Sequence, residues 1–350
     1  MPRGTIGLDI GTSAVRAAEV KGNDPGTLVR FAQLSLPPGA IVAGEVVDPD
    51  RVAETLKDLW RRGGFKSKKV AISVSNQNVV VRQVEVPKMD EADLQGALGY
   101  QVADYIPMPI DDATLDFIVL DEFVGDDGAA MMRLLAVAAL QDMINKFITV
   151  VNLAGLEPVS VDLSPLAAVR CLVGSFEPLV GEPVAEAVVD IGAGVTSIVV
   201  HIGGAPKFVR ILSAGGSDIT DSLVSVMSVS ADEAEAEKAA VGLSPEGAQV
   251  ASGSARVIED RARGFIDDVR RSIEYYQSQP DAVRLSRVLV AGGGARLNGF
   301  AERLSHGLGL PVERADALGR VKVGDLGLTD DQLEQVAAVA AVSVGLAIEE

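Results

Sequence analysis

An apolar run leads into Asp9, small residues break it at Gly11-Thr12-Ser13, and apolar positions then alternate through Val15, Ala17 and Val20. A period of two on both sides of a tight break predicts a β-hairpin with a carboxylate at its mouth. A third strand is expected over Leu28 to Leu36, closed by Pro37-Pro38-Gly39. The period becomes helical after Asp48-Pro49, an N-cap carboxylate followed by proline at the first helical position. Val52, Leu56, Leu59 and Trp60 share a face, and Gly63-Gly64 stops the helix. Lys69 to Ser75 reads as the next strand.

From Arg82 to Ala139 the pattern describes a smaller β-α-β-β unit. Its strand Val79 to Val86 ends at Pro87, and its helix Asp90 to Ile106 carries Leu94, Leu98, Val102 and Tyr105 at helical spacing. Pro107 and Pro109 end that helix, and strands Thr114 to Val124 and Ala129 to Ala138 flank the turn Gly125-Asp126-Asp127-Gly128. A helix Gln141 to Ala154 with Met143, Phe147, Val150 and Val151 inward, a strand Glu157 to Leu163 and a helix Pro165 to Val173 follow. Glu177 to Pro183 reads as a linker.

The chain then repeats itself. Ala187-Val188-Val189-Asp190-Ile191-Gly192-Ala193-Gly194-Val195-Thr196-Ser197 reproduces the strand, carboxylate, Ile-Gly turn and departing strand of the opening, with a third strand at Phe208 to Leu212. Unrelated turns would not bring the same neighbouring elements with them, so the repeat implies a duplicated α/β architecture of two lobes. Gly215-Gly216-Ser217-Asp218 opens a helix, and Ser230 to Glu233 is a capping box opening another that carries Glu235 and Lys238. A long helix, Ala255 to Gln279, buries Ile258, Phe265, Ile266, Val269, Ile273 and Tyr276. Val288 to Ala291 is a strand running into Gly292-Gly293-Gly294-Ala295-Arg296. Asp330 is expected to cap a last helix, Leu333 to Ile348, whose Ala, Gly and Val suit close packing between lobes.

Composition narrows the function. The 350 residues suffice for two cores, and a net charge of -18 disfavours a protein that grips nucleic acid or anionic lipid. The single Cys171 excludes a disulfide framework or a cysteine zinc cluster, and His201 and His306 read as structural. No stretch approaches about 18 consecutive apolar residues, so a soluble, cytoplasmic chain is expected. Arg61-Arg62 and Lys66 to Lys69 form a basic cluster whose role stays open. Tyr275-Tyr276 reads as helix packing and the acidic run 231–237 as a solvated face.

A carboxylate beside a small-residue turn suits a phosphate: backbone N–H groups face the anion, and the carboxylate holds a hydrated Mg²⁺. There is no Gly-x-x-x-x-Gly-Lys-Ser/Thr, and the opening turn lacks Gly-x-Gly-x-x-Gly, so neither a P-loop nor a dinucleotide fingerprint is present. With its two Asp-Ile-Gly turns, its glycine-rich turn and its small-residue final helix, the chain resembles the actin-like (RNase H-like) nucleotide-binding superfamily of actin, sugar kinases, DnaK-type chaperones and FtsA. Its inserted unit resembles FtsA's subdomain. FtsA continues into a linker and a membrane-binding helix, whereas this chain stops at Glu349-Glu350. The stretch Tyr105 to Ile110 and Leu115-Asp116-Phe117 is similar to the PilM family of type IV pilus assembly.

The resemblance implies ATP and Mg²⁺ between the lobes. Asp9 and Asp190 would orient the Mg²⁺, largely through water. Gly11, Thr12, Ser13, Arg16, Gly192, Ala193, Gly194 and Val195 would contact the phosphates. Gly215, Gly216, Glu235, Lys238, Gly292, Gly293, Gly294 and Arg296 would line the nucleoside pocket. It also implies a partner, the cytoplasmic N-terminal peptide of PilN, held by the insert, with recruitment to the inner membrane through that partner. Other pilus components, including the motor ATPases, and self-association into a homo-oligomer belong to the same expectation. The lobes would comprise 1–81 with 140–183 and 331–350, and 184–214 with 284–330. The insert would be 82–139, and 215–283 a helical subdomain of the second lobe.

Two departures bear on turnover. Arg16 stands where relatives place a phosphate-contacting Lys, and Ser164 stands where hydrolytic relatives position a water with Glu or Gln, leaving Asp162 as the catalytic candidate. The expectation is an ATP-binding scaffold with slow turnover. A small-molecule kinase of the same superfamily and an FtsA-like filament former are the alternatives.

Overall fold

The computed structural model describes residues 5–22, 25–174, 183–245 and 253–348. Strands β1 (Ile6–Ile10), β2 (Ala14–Lys21) and β3 (Thr27–Ser35) form the opening meander, and a small hairpin, β4 (Ile41–Val42) with β5 (Glu45–Val46), follows it. In α1 (Pro49–Gly63) the Asp48 side chain accepts from the Arg51 amide at 3.2 Å, and Gly64 ends the helix in the left-handed region at φ 64°. Val52, Leu56 and Leu59 are its buried face. β6 (Lys69–Val74) lies parallel to β1.

The insert is β7 (Val80–Pro87), α2 (Glu91–Val102), β8 (Ala113–Val124) and β9 (Ala130–Leu140), arranged β7-β9-β8 with β8 on an edge. Val84, Val86, Leu94, Leu98, Val102 and Leu134 give it a small core of its own. Tyr105 departs from expectation: α2 ends at Val102 and a 3-10 turn follows. The tighter winding takes Tyr105 off the buried stripe, leaving it half exposed, and Ile106 is buried instead.

The main theme resumes with α3 (Gln141–Leu153), β10 (Glu157–Leu163) and α4 (Ser164–Leu172). Met143, Phe147, Val150 and Val151 are buried as their spacing requires. Most of the expected linker, 177–182, lies outside the described residues. The second half runs β11 (Ala185–Ile191), β12 (Thr196–Ile202), β13 (Ala205–Leu212), α5 (Gly216–Met227), α6 (Ala231–Val241), α7 (Gly253–Gln277), β14 (Leu285–Ala291), α8 (Phe300–Leu308), β15 (Val312–Arg314), β16 (Lys322–Val323), α9 (Asp330–Val339) and α10 (Ala341–Ala347).

The duplication is visible in the sheets. The first is ordered β10-β6-β1-β2-β3 and the second β15-β14-β11-β12-β13. In each, a central strand is antiparallel to its hairpin partner and parallel to the crossover strand. Two boundaries differ from expectation. β16 joins the first sheet beside β3, and Ala317 and Val321 bury with α4 and α10, so the chain returns to the first lobe before residue 331. Helices α5 to α7 share one continuous core with the second sheet through Ile219, Leu223, Ile258, Ile266 and Val290. The last helix is two, α9 and α10, meeting at Ala340. Thr329, not Asp330, caps α9, in a reciprocal box with Gln332.

α10 sits where small residues let backbones meet. A Cβ on Gly7 would lie 2.0 Å from the Ser343 carbonyl oxygen, and one on Gly345 would lie 1.9 Å from that of Ala167. Helix α4, against which α10 packs, also touches β11 and β12 of the second sheet. Cys171 is buried in this region, its thiol directed to the Ala317 carbonyl at 3.3 Å and its pKa pushed up by burial to about 12, which keeps it protonated and inert.

Candidate nucleotide site

Both Asp-Ile-Gly turns close with the same bond. The Gly11 amide donates to Ala14 O at 3.0 Å, and the Gly192 amide to Val195 O at 2.9 Å. The amides of Thr12, Ser13, Ala193 and Gly194 find no protein acceptor among the described residues. Such unpaired donors at a loop tip are available to an anion.

The two turns face one another. A Cβ on Gly194 would come within 3.0 Å of the Thr12 side chain, and Ser75 Oγ and Ser197 Oγ stand 3.3 Å apart across the lobes. The start of α5 is tied to the second turn, the Gly216 amide donating to Gly192 O at 3.0 Å and the Ser217 amide to Ala193 O at 2.8 Å. The glycine-rich turn completes the wall. Gly292 takes φ +84°, its amide donates to Ala338 O at the end of α9 at 2.9 Å, and a Cβ there would be 2.5 Å from Asp190 Oδ1. A Cβ on Gly216 would lie 3.7 Å from each of Gly192 O, Gly294 Cα and Lys238 Nζ. Lys238 Nζ donates to Gly216 O at 3.1 Å, Thr220 Oγ1 at 2.9 Å and Glu235 Oε1 at 2.7 Å. Gly293 and Arg296 are exposed at the outer end of the turn.

Three glycine turns thus converge on a cradle that side chains would fill. Two carboxylates stand at its mouth. Burial raises the pKa of Asp9, and the Arg16 guanidinium, whose Nη1 donates to Asp9 Oδ2 at 3.0 Å, opposes that rise. Asp190 is pushed up to about 6, first by burial and then by the charge of Asp9, with Arg16 only partly offsetting them. Two carboxylates against one guanidinium leave a place for a further cation, and hard carboxylate oxygens suit Mg²⁺. Among the described residues no cluster of three metal-ligating side chains occurs, so an ion held by Asp9 and Asp190 would keep much of its water.

A carboxylate whose folded pKa is raised holds its proton more tightly folded than unfolded. Asp190 therefore withdraws stability as pH rises from 3.8 to about 6, and restores it as pH falls through the same window. Asp190→Asn is expected to stabilise the ligand-free protein at pH 7.5 by about 1–3 kcal/mol, an advantage that vanishes near pH 4. Urea melts at the two pH values check this; a destabilised variant at pH 7.5 would contradict the assignment.

Asp162 is engaged by protein partners. Arg170 Nη1 donates to Asp162 Oδ2 at 3.0 Å and to Gly345 O at 3.0 Å, while the Leu163 amide donates to Asp162 Oδ1 at 2.6 Å. The carboxylate is committed to holding α4 and α10 against β10. Ser164, beside it, meets Ser73 Oγ at 2.9 Å. Gln33, which accepts from Arg16 Nε at 3.0 Å, was not expected from sequence. It stands opposite Arg16 in the β2–β3 ladder, and the register shift between Glu19 and Val20 defeats counting back from the turn.

A family model described as type IV pilus assembly protein PilM matches residues 7–350. A solved PilM–PilN type IV pilus biogenesis complex aligns with a TM-score of 0.85 and 28% identity over 98% of this chain and 97% of that one. MreB5 of Spiroplasma citri bound to AMPPNP aligns with a TM-score of 0.54 and 14% identity over 90% and 92% of the two chains, a likeness of fold alone. The cell division protein FtsA of Neisseria meningitidis is 26% identical over 251 residues, 65% of this chain. The match spans 59% of that relative's length. The fold is the actin-like two-lobe fold that the duplicated turns imply.

Proposed function

The chain belongs to the PilM family of type IV pilus assembly proteins, and from that premise we propose that it is a Mg-ATP-binding scaffold that holds the N-terminal peptide of a PilN partner. The observation that carries the nucleotide half is the pair of identically closed turns meeting across the lobes beside Asp9 and Asp190. Bound there, Mg²⁺ would neutralise phosphate charge. Gly11 to Ser13 and Gly192 to Val195 hold the phosphates, and Gly216, Lys238 and Gly294 border the nucleoside.

Support for the partner half is the insert. Its β8 is an open sheet edge with Ile118, Val119 and Val124 exposed, an arrangement that accepts an extended peptide as an added strand. Lys207 Nζ on β13 reaches 4.0 Å from Asp121 on β8, and β13 runs on toward Gly215 and Gly216. Attachment to the inner membrane would then come through the partner; among the described residues no helix is long and apolar enough to cross a membrane.

Turnover is slow in this reading, because Ser164 offers no carboxylate to a water and Asp162 is bound by Arg170. Asp162→Asn is expected to lower stability by about 1–2 kcal/mol, as a partly buried ion pair is broken, while leaving the slow ATPase rate within a factor of about three. Fast wild-type hydrolysis abolished by that substitution would contradict it. Calorimetric titration of the PilN N-terminal peptide, with and without Mg-ATP, tests the function directly. Saturable binding whose affinity changes with nucleotide is expected. No binding in either state would favour a small-molecule kinase.

A further inference from the structure

The two copies of the clamp differ in what stands opposite the carboxylate. Asp9 lies directly opposite Arg16 in the β1–β2 ladder, whereas the equivalent register in the second lobe sets Asp190 opposite Ser197. Ser197 carries no charge to set against a carboxylate, and it meets Ser75 of the first lobe. One guanidinium therefore stands beside two acidic groups, and it is anchored on two sides. Its Nη1 donates to Asp9 Oδ2 and its Nε to Gln33 Oε1, both at 3.0 Å, with the Arg16 and Asp9 side chains only 15% and 14% exposed.

We propose that Arg16 is an internal counter-ion that occupies Asp9 in the empty clamp and excludes a divalent cation until a phosphate draws the guanidinium away. The exchange rests on the nucleotide reading above; the occupancy of Asp9 does not. A guanidinium pairs with carboxylate and phosphate through the same two-pronged geometry, and a phosphate bearing more charge competes well for it. Asp9 and Asp190 then face the cleft without a protein cation between them, and a hydrated metal ion finds two hard ligands. Metal and nucleotide consequently enhance each other's binding, by equal factors. Gln33 supplies the second anchor that returns the side chain to Asp9 when the ligand leaves.

Mn²⁺ titrations of the nucleotide-free chain, followed by electron paramagnetic resonance, test this without recourse to turnover. Arg16→Gln is expected to bind Mn²⁺ at least tenfold more tightly than wild type. Arg16→Lys, which keeps a cation beside Asp9, should stay within threefold of wild type. Adding Asp9→Asn to Arg16→Gln should abolish the gain. An Arg16→Gln chain, folded by circular dichroism, that binds Mn²⁺ no better than wild type would overturn the proposal, as would a gain that persists without the Asp9 carboxylate. Titration of wild type with an ATP analogue separates the two readings: failure to bind nucleotide ends the proposed function, while the Mn²⁺ series alone decides whether Arg16 guards Asp9.

Discussion

Gly345→Ala is expected to destabilise the protein by about 3 kcal/mol or more, an effect at the upper end for a single methyl group. The added Cβ would stand 1.9 Å from the Ala167 carbonyl oxygen and 2.6 Å from its carbon. Both are backbone atoms of α4, so no side-chain rotation relieves the clash and the two helices must separate. Separation also disturbs the Arg170 bond to Gly345 O and, through α4, the contact with β11 and β12. Gly96→Ala is the control. Gly96 is helical, exposed and has nothing within 4 Å of its added Cβ, so the change should be neutral or stabilise by up to about 1 kcal/mol. Chemical denaturation of both variants measures the difference; equal midpoints would contradict the packing account.

Gly216→Val separates binding from folding. The Cβ itself meets its neighbours at 3.7 Å, an ordinary contact, but the two γ-methyls have only the gap bounded by Gly192, Gly294 and Lys238 to occupy. That gap is the one proposed for the nucleoside. Nucleotide affinity should fall by roughly a hundredfold or more, about 3 kcal/mol, while the melting temperature stays near that of wild type. Equilibrium titration with a fluorescent ATP analogue reads the affinity. Unchanged binding in a folded variant would place the ligand elsewhere.

Much of the clamp was legible because it is written twice. A lone Asp-x-Gly-Thr turn says little, but the second copy at Asp190 arrives with its own three-stranded meander, and the same closing bond recurs in both. Helix starts governed by local chemistry were equally readable, as at Asp48-Pro49 and Ser230. Thr329 was missed although the signal is present: Thr-Asp-Asp offers three caps in a row, and only Gln332 three residues later selects the first. What local pattern does not carry is long-range pairing. That Arg170 rather than a water claims Asp162, that Gln33 braces Arg16 and that β16 crosses back to the first sheet depend on contacts between distant segments. Tyr105 illustrates a third limit, since a change of winding after Val102 alters which residue faces inward without altering the apolar spacing.

One titration most directly tests the nucleotide clamp proposed between the two duplicated lobes. Isothermal calorimetry of the nucleotide-free chain with a hydrolysis-resistant ATP analogue and Mg²⁺ should give one site per chain with a dissociation constant of about 10 μM or lower. That affinity should drop at least tenfold on removal of Mg²⁺. A folded wild-type chain that shows no binding at millimolar analogue, with or without the metal, would contradict the account.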